Sequence, residues 1–410
     1  MKVTKRFVLG GMAAMPVAAS CATTATARAP DTVVVGAGVF GAWTAEMLRR
    51  TGRKVELVDA WGPGHARASS GGESRLTRAG YGTARRYSEM AAESLEEWKR
   101  LSRDQDLPLF HNAGVLAFYD QESEYATGSH ETMLALNLRS ERLETGELRH
   151  RWPQIDWSGV AFGLLEPDFG ALMARRSVAT LVEQFIRNGG TYRKAAILPP
   201  VGADRLAALQ TAAGETLQAD EFVFACGPWL GKFFPDVIGE RLFVTKQEIF
   251  FFRPPAGDAR FAMPALPGWI DFFGDQVMYG FPDLEGRGFK VANDSHGAIV
   301  DPDTNDRLVE PASLAQVREY VGRRFPALKD APLSETRVCQ YENSSNGDLL
   351  IDRHPQWANT LLVGMGSGHG FKHGPGVGKA AARLLEKPSV AAEPMFTLAT
   401  KEKTQARSVH

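Results

Sequence analysis

Residues 31–59 leave this chain little choice of fold. They read DTVVVGAGVFGAWTAEMLRRTGRKVELVD. Residues 32–35 form a short β-branched run, the kind that fills a parallel strand buried on both faces. GAGVFG at 36–41 makes a turn, helix formers occupy 42–51, Gly52 stops them, and 54–58 return as a second strand ending at Asp59. This is the strand–turn–helix–strand of a mononucleotide-binding unit. Gly36, Gly38 and Gly41 let backbone approach a pyrophosphate, and the helix N-terminus adds N–H donors and the positive end of its dipole. Asp59, 18 residues beyond Gly41, is placed to accept from ribose hydroxyls. The motif alone does not choose between NAD and FAD; its place near the start of the mature chain leans to FAD.

At 410 residues two domains are expected. Lys and Arg number 47 against 48 acidic residues, a net charge of −1, so no basic field exists for nucleic acid or an anionic membrane. The expected partners are small molecules, and no metal site is foreseen. Residues 1–30 have the form of an export segment. Lys2, Lys5 and Arg6 precede an apolar stretch at 7–19, which is too short to span a bilayer. TKRFVL at 4–9 resembles a twin-arginine signal with Lys in place of the first Arg, which predicts a periplasmic location. Cleavage after Ala27 and a lipid anchor on Cys21 are both compatible with the sequence. Only Cys226 and Cys339 remain, too few for a disulfide framework.

Further along, 87–101 has a helical pattern with Met90, Leu95 and Trp98 on one side, and 177–188 is amphipathic. Residues 221–225 predict a buried strand that ends at Gly227-Pro228, with Cys226 packed as a small apolar residue. Between 244 and 300 the character turns antiparallel, with strands at 249–252 and 276–279. Helices are expected at 313–325 and 376–385. The stretch at 339–372, CQYENSSNGDLLIDRHPQWANTLLVGMGSGHGFK, joins a lone cysteine to a strand and a glycine-rich turn before the last helix.

GAGVFG, ESRLTRAGYG at 73–82, YGFP at 279–282, CQY at 339–341 and SGHGFK at 367–372 together resemble the monomeric sarcosine oxidase family, which includes N-methyltryptophan and pipecolate oxidases, over residues 31–385. The resemblance implies an α/β chain with an α+β second domain. Residues 31–100, 171–240 and 335–388 would form a discontinuous Rossmann-like FAD-binding domain. Residues 101–170 and 241–334 would form an interleaved, antiparallel-sheet substrate domain, with 389–410 as a tail. It further implies a monomer that oxidises a secondary or N-substituted amino acid, passes hydride to flavin N5, releases an imine for hydrolysis and reduces O2 to H2O2. By position, Cys339 would bind the flavin covalently and Lys290 would activate dioxygen. Arg75 would lie against the flavin ring with His369 beside it. Arg78 and Lys372 would hold the substrate carboxylate, a fork and an ammonium suited to that task, and Tyr279 would line the pocket. Ser74, Arg75, Gly366, Gly368, Gly370 and Lys372 would fall among the cofactor contacts.

Two positions depart from the family pattern. Its usual histidine four residues before Arg75 is Gly71, which is expected to leave extra space. A second pocket histidine is replaced by Asp294, with His296 two residues on; an acid there suits a cationic group. Trp157, Phe162, Trp269, Phe272 and Phe273 are the aromatic stock of the expected cover, able to enclose a larger side chain, although most are expected to pack in the core. Two competing readings keep the flavin: an exported dehydrogenase handing electrons to a quinone or cytochrome, and a non-catalytic flavin-binding assembly factor.

Overall fold

The computed structural model describes residues 29–274 and 276–406. Most of the expected export segment, with Cys21 and the cleavage site at Ala27, lies outside these residues. Among the described residues no helix is long and apolar enough to cross a membrane.

Two sheets organise the chain. The first has six strands in the order Leu350–Arg353, Thr360–Gly364, Glu221–Phe224, Thr32–Val35, Val55–Asp59 and Thr191–Lys194. All pair in parallel except the first two, which are antiparallel. Thr32–Val35 sits centrally and is buried along its whole length, which accounts for its unbroken β-branched run. The helix Val39–Arg50 rises from it and packs under the last helix, Gly374–Glu386.

That close approach depends on glycine. Gly36 has φ of 103°, and a β-carbon there would stand 2.3 Å from the Ala225 carbonyl oxygen; one on Gly41 would stand 1.8 Å from the Gly36 oxygen. Gly36 in the turn and Gly41 in the first turn of the helix therefore admit no side chain.

The second sheet has eight strands: Leu333–Asn343, Phe243–Phe252, Phe289–Asn293, Gln276–Phe281, Gly268–Phe273, Val115–Tyr119, Phe162–Glu166 and Glu141–Glu144. It is antiparallel except where Gly268–Phe273 runs parallel to Val115–Tyr119. The helix Pro311–Arg324 covers one face with Val317, Tyr320 and Val321. A three-stranded sheet of Arg75–Thr77, Gly170–Leu172 and Phe110–His111 lies beside these two.

The expected helices all form, each longer than its pattern: Arg85–Asp104 buries Met90, Leu95 and Trp98 as foreseen. The expected domain limits are corrected by pairing. The limit at 334/335 falls inside Leu333–Asn343, whose whole length pairs with Phe243–Phe252, so the Cys339 strand belongs to the second sheet. The limits at 100/101 and 170/171 likewise cut a helix and a strand.

Gly41→Ala is expected to destabilise the fold by about 2 kcal/mol or more, because neither backbone can yield to the added carbon. Thermal unfolding should show a lowered Tm; an unchanged Tm would contradict the packing at this turn.

Candidate active site

Three cavities follow one another along the seam between the sheets. The first, about 240 Å³, is lined by Gly36, Gly38, Phe40, Asp59, Trp61, Ser70, Cys226, Trp229 and Glu342 among others. The second shares Val39, Phe40, Ser69, Ser70 and Glu342 with it and adds Arg75, Cys339, Gln340, Tyr341, Gly366, Gly368, Gly370 and Phe371. The third shares Arg75, Tyr341, Gly368 and Phe371 with the second and adds Leu76, Arg78, Ile270, Tyr279, Asp294, His369 and Lys372. The sharing makes them one continuous trench.

At the first cavity Asp59 is fixed by backbone donors: Ala37 N at 2.8 Å to one oxygen, Trp61 N at 2.8 Å and Gly62 N at 2.7 Å to the other. The Ser70 hydroxyl accepts from Val39 N at 3.0 Å. Here the residues present suit a dinucleotide. The glycine turn is open on the cavity side, where a β-carbon on Gly38 would meet only Ser70 Oγ at 3.5 Å. Buried polar atoms without partners line the same path: Ser69 Oγ, Gln340 Oε1 and Glu342 Oε2. Such atoms are costly unless a bound group satisfies them. Burial pushes the Glu342 carboxyl up to about 7.

Four consecutive residues of one strand, 339 to 342, line the second cavity. On Leu333–Asn343 residues 339 and 341 share a face, and Cys339 packs there with Ile249, Phe251, Ala292 and Tyr279. Arg75 donates to Cys339 Sγ at 3.2 Å, to Ser69 O at 2.8 Å and to Ser74 O at 2.9 Å. Burial opposes the Arg75 charge, but Cys339, Tyr279, Tyr341 and Glu73 outweigh it and hold the guanidinium above its ordinary range. Lys290 is only 1% exposed. It donates to Ser74 O at 2.8 Å and Ser74 Oγ at 3.3 Å, and it lies over the rings of Phe281 and Tyr279. It lines none of the three cavities and stands behind Ser74 and Arg75. Burial, then the Arg75 charge, push its ammonium well below the usual range.

In the third cavity Arg78 donates to Tyr125 Oη at 3.1 Å and to Gly80 O, and stacks 4.5 Å over Tyr81. Lys372, 5% exposed, donates to Tyr81 Oη at 2.6 Å and His369 O at 3.0 Å. Its backbone is pinned by Trp98 Nε1, which donates to the Lys372 carbonyl at 2.9 Å. Donor counting fixes the surrounding network. His369 Nε2 donates to Gly347 O at 3.0 Å, so its Nδ1 accepts the Tyr81 hydrogen at 3.3 Å. The Tyr81 oxygen then accepts from Lys372 and from His373 Nε2 at 2.8 Å. Burial, then the nearby Lys372 charge, keep His373 neutral, well below its usual range, so its one ring hydrogen is the Nε2 donor.

The structure therefore gathers Gly36, Gly38, Asp59, Arg75, Arg78, Tyr279, Cys339, Gly366, Gly368, His369, Gly370 and Lys372 on one trench. Lys372 faces the third cavity rather than the second, and Gly41, Ser74 and Lys290 support the lining from behind. One expectation is corrected. Gly71 leaves no extra space: a β-carbon there would stand 2.0 Å from the His65 carbonyl oxygen. His296 meets Gln405 Nε2 at 3.1 Å and lines no cavity of the trench. Trp157, Phe162 and Trp269 pack in the core of the second sheet's side, and none of the five cover aromatics lines the third cavity. Sequence reasoning missed Tyr81, His373, Glu342 and Ser70 as site residues. Tyr81 and Glu342 sit in or beside quoted motifs, ESRLTRAGYG and CQY, and that adjacency was the available signal.

A glycine-turned parallel sheet roofed by an antiparallel sheet, with a dinucleotide trench along the seam, defines a nucleotide-cofactor oxidoreductase of the flavin type. The chain belongs to the DAO family, FAD dependent oxidoreductase, whose pattern matches residues 31–384. It is 30% identical over 365 residues to monomeric sarcosine oxidase of Bacillus sp. (strain NS-129), covering 86% of this chain and 92% of the relative. It is 27% identical over 361 residues to N-methyl-L-tryptophan oxidase of Salmonella agona (strain SL483), covering 86% and 93%. In fold it matches a thermally stable mutant of fructosyl peptide oxidase, with a TM-score of 0.77 and 21% identity over 90% of this chain and 93% of the other.

The Glu342 carboxyl titrates at about 7 in the folded chain against an ordinary 4.5, so its ionisation works against the native state. That penalty is absent below pH 4.5, grows through the window up to about 7 and is complete above it. Glu342→Gln removes it. The stability advantage of this variant over the wild-type apoprotein, measured by denaturant unfolding, should therefore widen between about pH 5 and about pH 8, toward about 3 kcal/mol. A pH-independent difference would contradict the assignment.

Proposed function

We propose that the chain is an FAD-dependent oxidase of a secondary or N-substituted amino acid. One observation carries the reading: Arg78 and Lys372 converge in a small cavity that opens directly onto the dinucleotide trench. Two buried cations there suit a carboxylate, and they fix the adjacent carbon next to the trench. The names of the two oxidase relatives support the same substrate class.

Bound FAD would supply the two-electron acceptor that takes hydride from the carbon beside nitrogen and returns the electrons to dioxygen as hydrogen peroxide. The chain supplies the rest. Arg78 and Lys372 orient the carboxylate, with Tyr81 and the His369 carbonyl holding the Lys372 ammonium in place. Leu76, Ile270, Tyr279 and Phe371 exclude water around the reacting carbon. Glycines 366, 368 and 370 and the Phe371–His373 turn bring backbone close to the second cavity. Arg75 sets a positive charge beside Cys339 Sγ, the arrangement a nucleophilic cysteine uses, so Cys339 is our candidate for covalent attachment of the cofactor. Residues 1–30 we take as an export segment directing the monomer to the periplasm.

One observation favours a second reading of the electron acceptor. Lys290, the candidate for activating dioxygen, is disfavoured as a cation by burial and by Arg75. A role in oxygen activation requires that its charge be drawn out when negative charge arrives nearby. A dehydrogenase passing electrons to a quinone or cytochrome would not need it.

Two experiments test these assignments. Acid precipitation of the purified protein should leave flavin on the polypeptide, and Cys339→Ser should release it; flavin lost from both would leave Cys339 a packing residue. Lys290→Met should lower the rate of O2 reduction about a hundredfold, measured by stopped-flow after anaerobic reduction with substrate. An unchanged rate would favour the dehydrogenase.

A further inference from the structure

We propose that the third cavity selects an amino acid carrying a second, remote cationic group, and that Asp294 is the residue that selects it. The inference rests on the reading of Arg78 and Lys372 as the carboxylate clamp.

Among the residues lining this cavity Arg75, Arg78 and Lys372 are cations and Asp294 is the one acid. The arrangement is polar in space as well as in count. Arg78 and Lys372 are buried, whereas Asp294, like Arg75, is half-buried, so the carboxylate clamp stands at the inner side of the cavity and the acid nearer solvent. Asp294 follows directly on the strand Phe289–Asn293 and is held there. Its backbone N donates to Val277 O at 2.7 Å, and its Oδ1 accepts from Tyr341 Oη at 2.9 Å. The carboxylate is thus aimed by two neighbouring strands. Between the two ends the wall is apolar or aromatic: Leu76, Ile270, Tyr279, Tyr341 and Phe371. Burial and then the Asp294 charge raise the Tyr279 phenol to about 12, so this wall stays uncharged at neutral pH.

Two groups of a bound amino acid are able to meet that carboxylate, and chemistry separates them. The reacting nitrogen must be neutral to release hydride from its neighbouring carbon. A carboxylate against it would stabilise the ammonium instead and oppose the reaction. A remote ammonium or guanidinium carries no such requirement and stays charged throughout. Position points the same way. The cavity holds about 60 Å³, and Asp294 is one of its partly exposed lining residues, within reach of a side chain that extends outward from the clamp. The substrate class is therefore a basic amino acid bearing its oxidisable secondary amine next to the carboxylate.

The test is a binding titration of the holoenzyme, read from the visible flavin spectrum. Straight-chain ω-amino carboxylic acids of three to six carbons are compared with the unsubstituted carboxylic acids of equal length. Neither series has nitrogen beside the carboxylate carbon, so binding is read without turnover. The best ω-amino acid should bind at least about tenfold more tightly than its unsubstituted partner. Asp294→Asn should shrink that ratio to less than about twofold, and Asp294→Glu should restore part of it. Equal binding of both series to the wild type, or a ratio unchanged in Asp294→Asn, would overturn the inference and leave the carboxylate clamp standing. Failure of the unsubstituted acids to bind at all would overturn the clamp, and this inference with it.

Discussion

The approach of three backbone segments at Gly36, Gly41 and Ala225 is the constraint on which the rest of this molecule hangs. The gaps there are smaller than a methyl group, so the central strand, the helix Val39–Arg50 and the Glu221–Phe224 strand have a single mutual placement. That placement sets the open N-terminus of the helix over the first cavity. It also fixes the last helix, since Gly374 and Gly378 lie directly against Trp43. The last helix follows the turn bearing Lys372, and Trp98 pins that residue's carbonyl. The cofactor end and the substrate end of the trench are thus referenced to the same rigid pair of helices.

Onto this frame the fold concentrates positive charge. Arg75, Arg78, Lys290 and Lys372 are largely withdrawn from water, where an isolated charge is expensive. Arg75, Arg78 and Lys290 give their hydrogens to carbonyl oxygens, hydroxyls and one sulfur. Glu166 lies near Arg78, but burial holds its carboxyl above the usual range, which weakens it as a counter-charge. Partners of this kind position cations without cancelling them. The field that remains is suited to an anionic guest, and Tyr81, shared between Lys372 and two histidines, is the hub that keeps its inner end in order.

Much of this was legible in the sequence because the relevant signals are local. The βαβ unit, the strand at 360–364 and the helices announce themselves by run and period, and the site residues Arg75, Arg78, Cys339, His369 and Lys372 stand in short motifs. What sequence could not give is tertiary. The Cys339 strand was assigned to the nucleotide domain by its neighbours in the chain, but its hydrogen bonds go to Phe243–Phe252. Gly71 suggested a vacancy because a smaller residue stood where a larger one was expected; the His65 carbonyl already fills that volume. Lys290 was legible as a strand lysine, whereas its separation from the cavities by Ser74 and Arg75 depends on strands that meet only in the fold. Tyr81 and Glu342 carry no pattern of their own.

The order of strands in the first sheet also governs when the molecule comes into being on the ribosome. Thr32–Val35 is made about 190 residues before its neighbour Glu221–Phe224, and Thr360–Gly364 comes later still. The helix that packs on Val39–Arg50 comes later again, at Gly374–Glu386. Contacts of such long sequence separation are slow to form and leave unpaired strand edges exposed meanwhile. The nucleotide cradle, although announced by residues 31–59, is completed only once Gly374–Glu386 has been made. A chain cut short of Gly374–Glu386 would carry the fingerprint without the helix that packs on it.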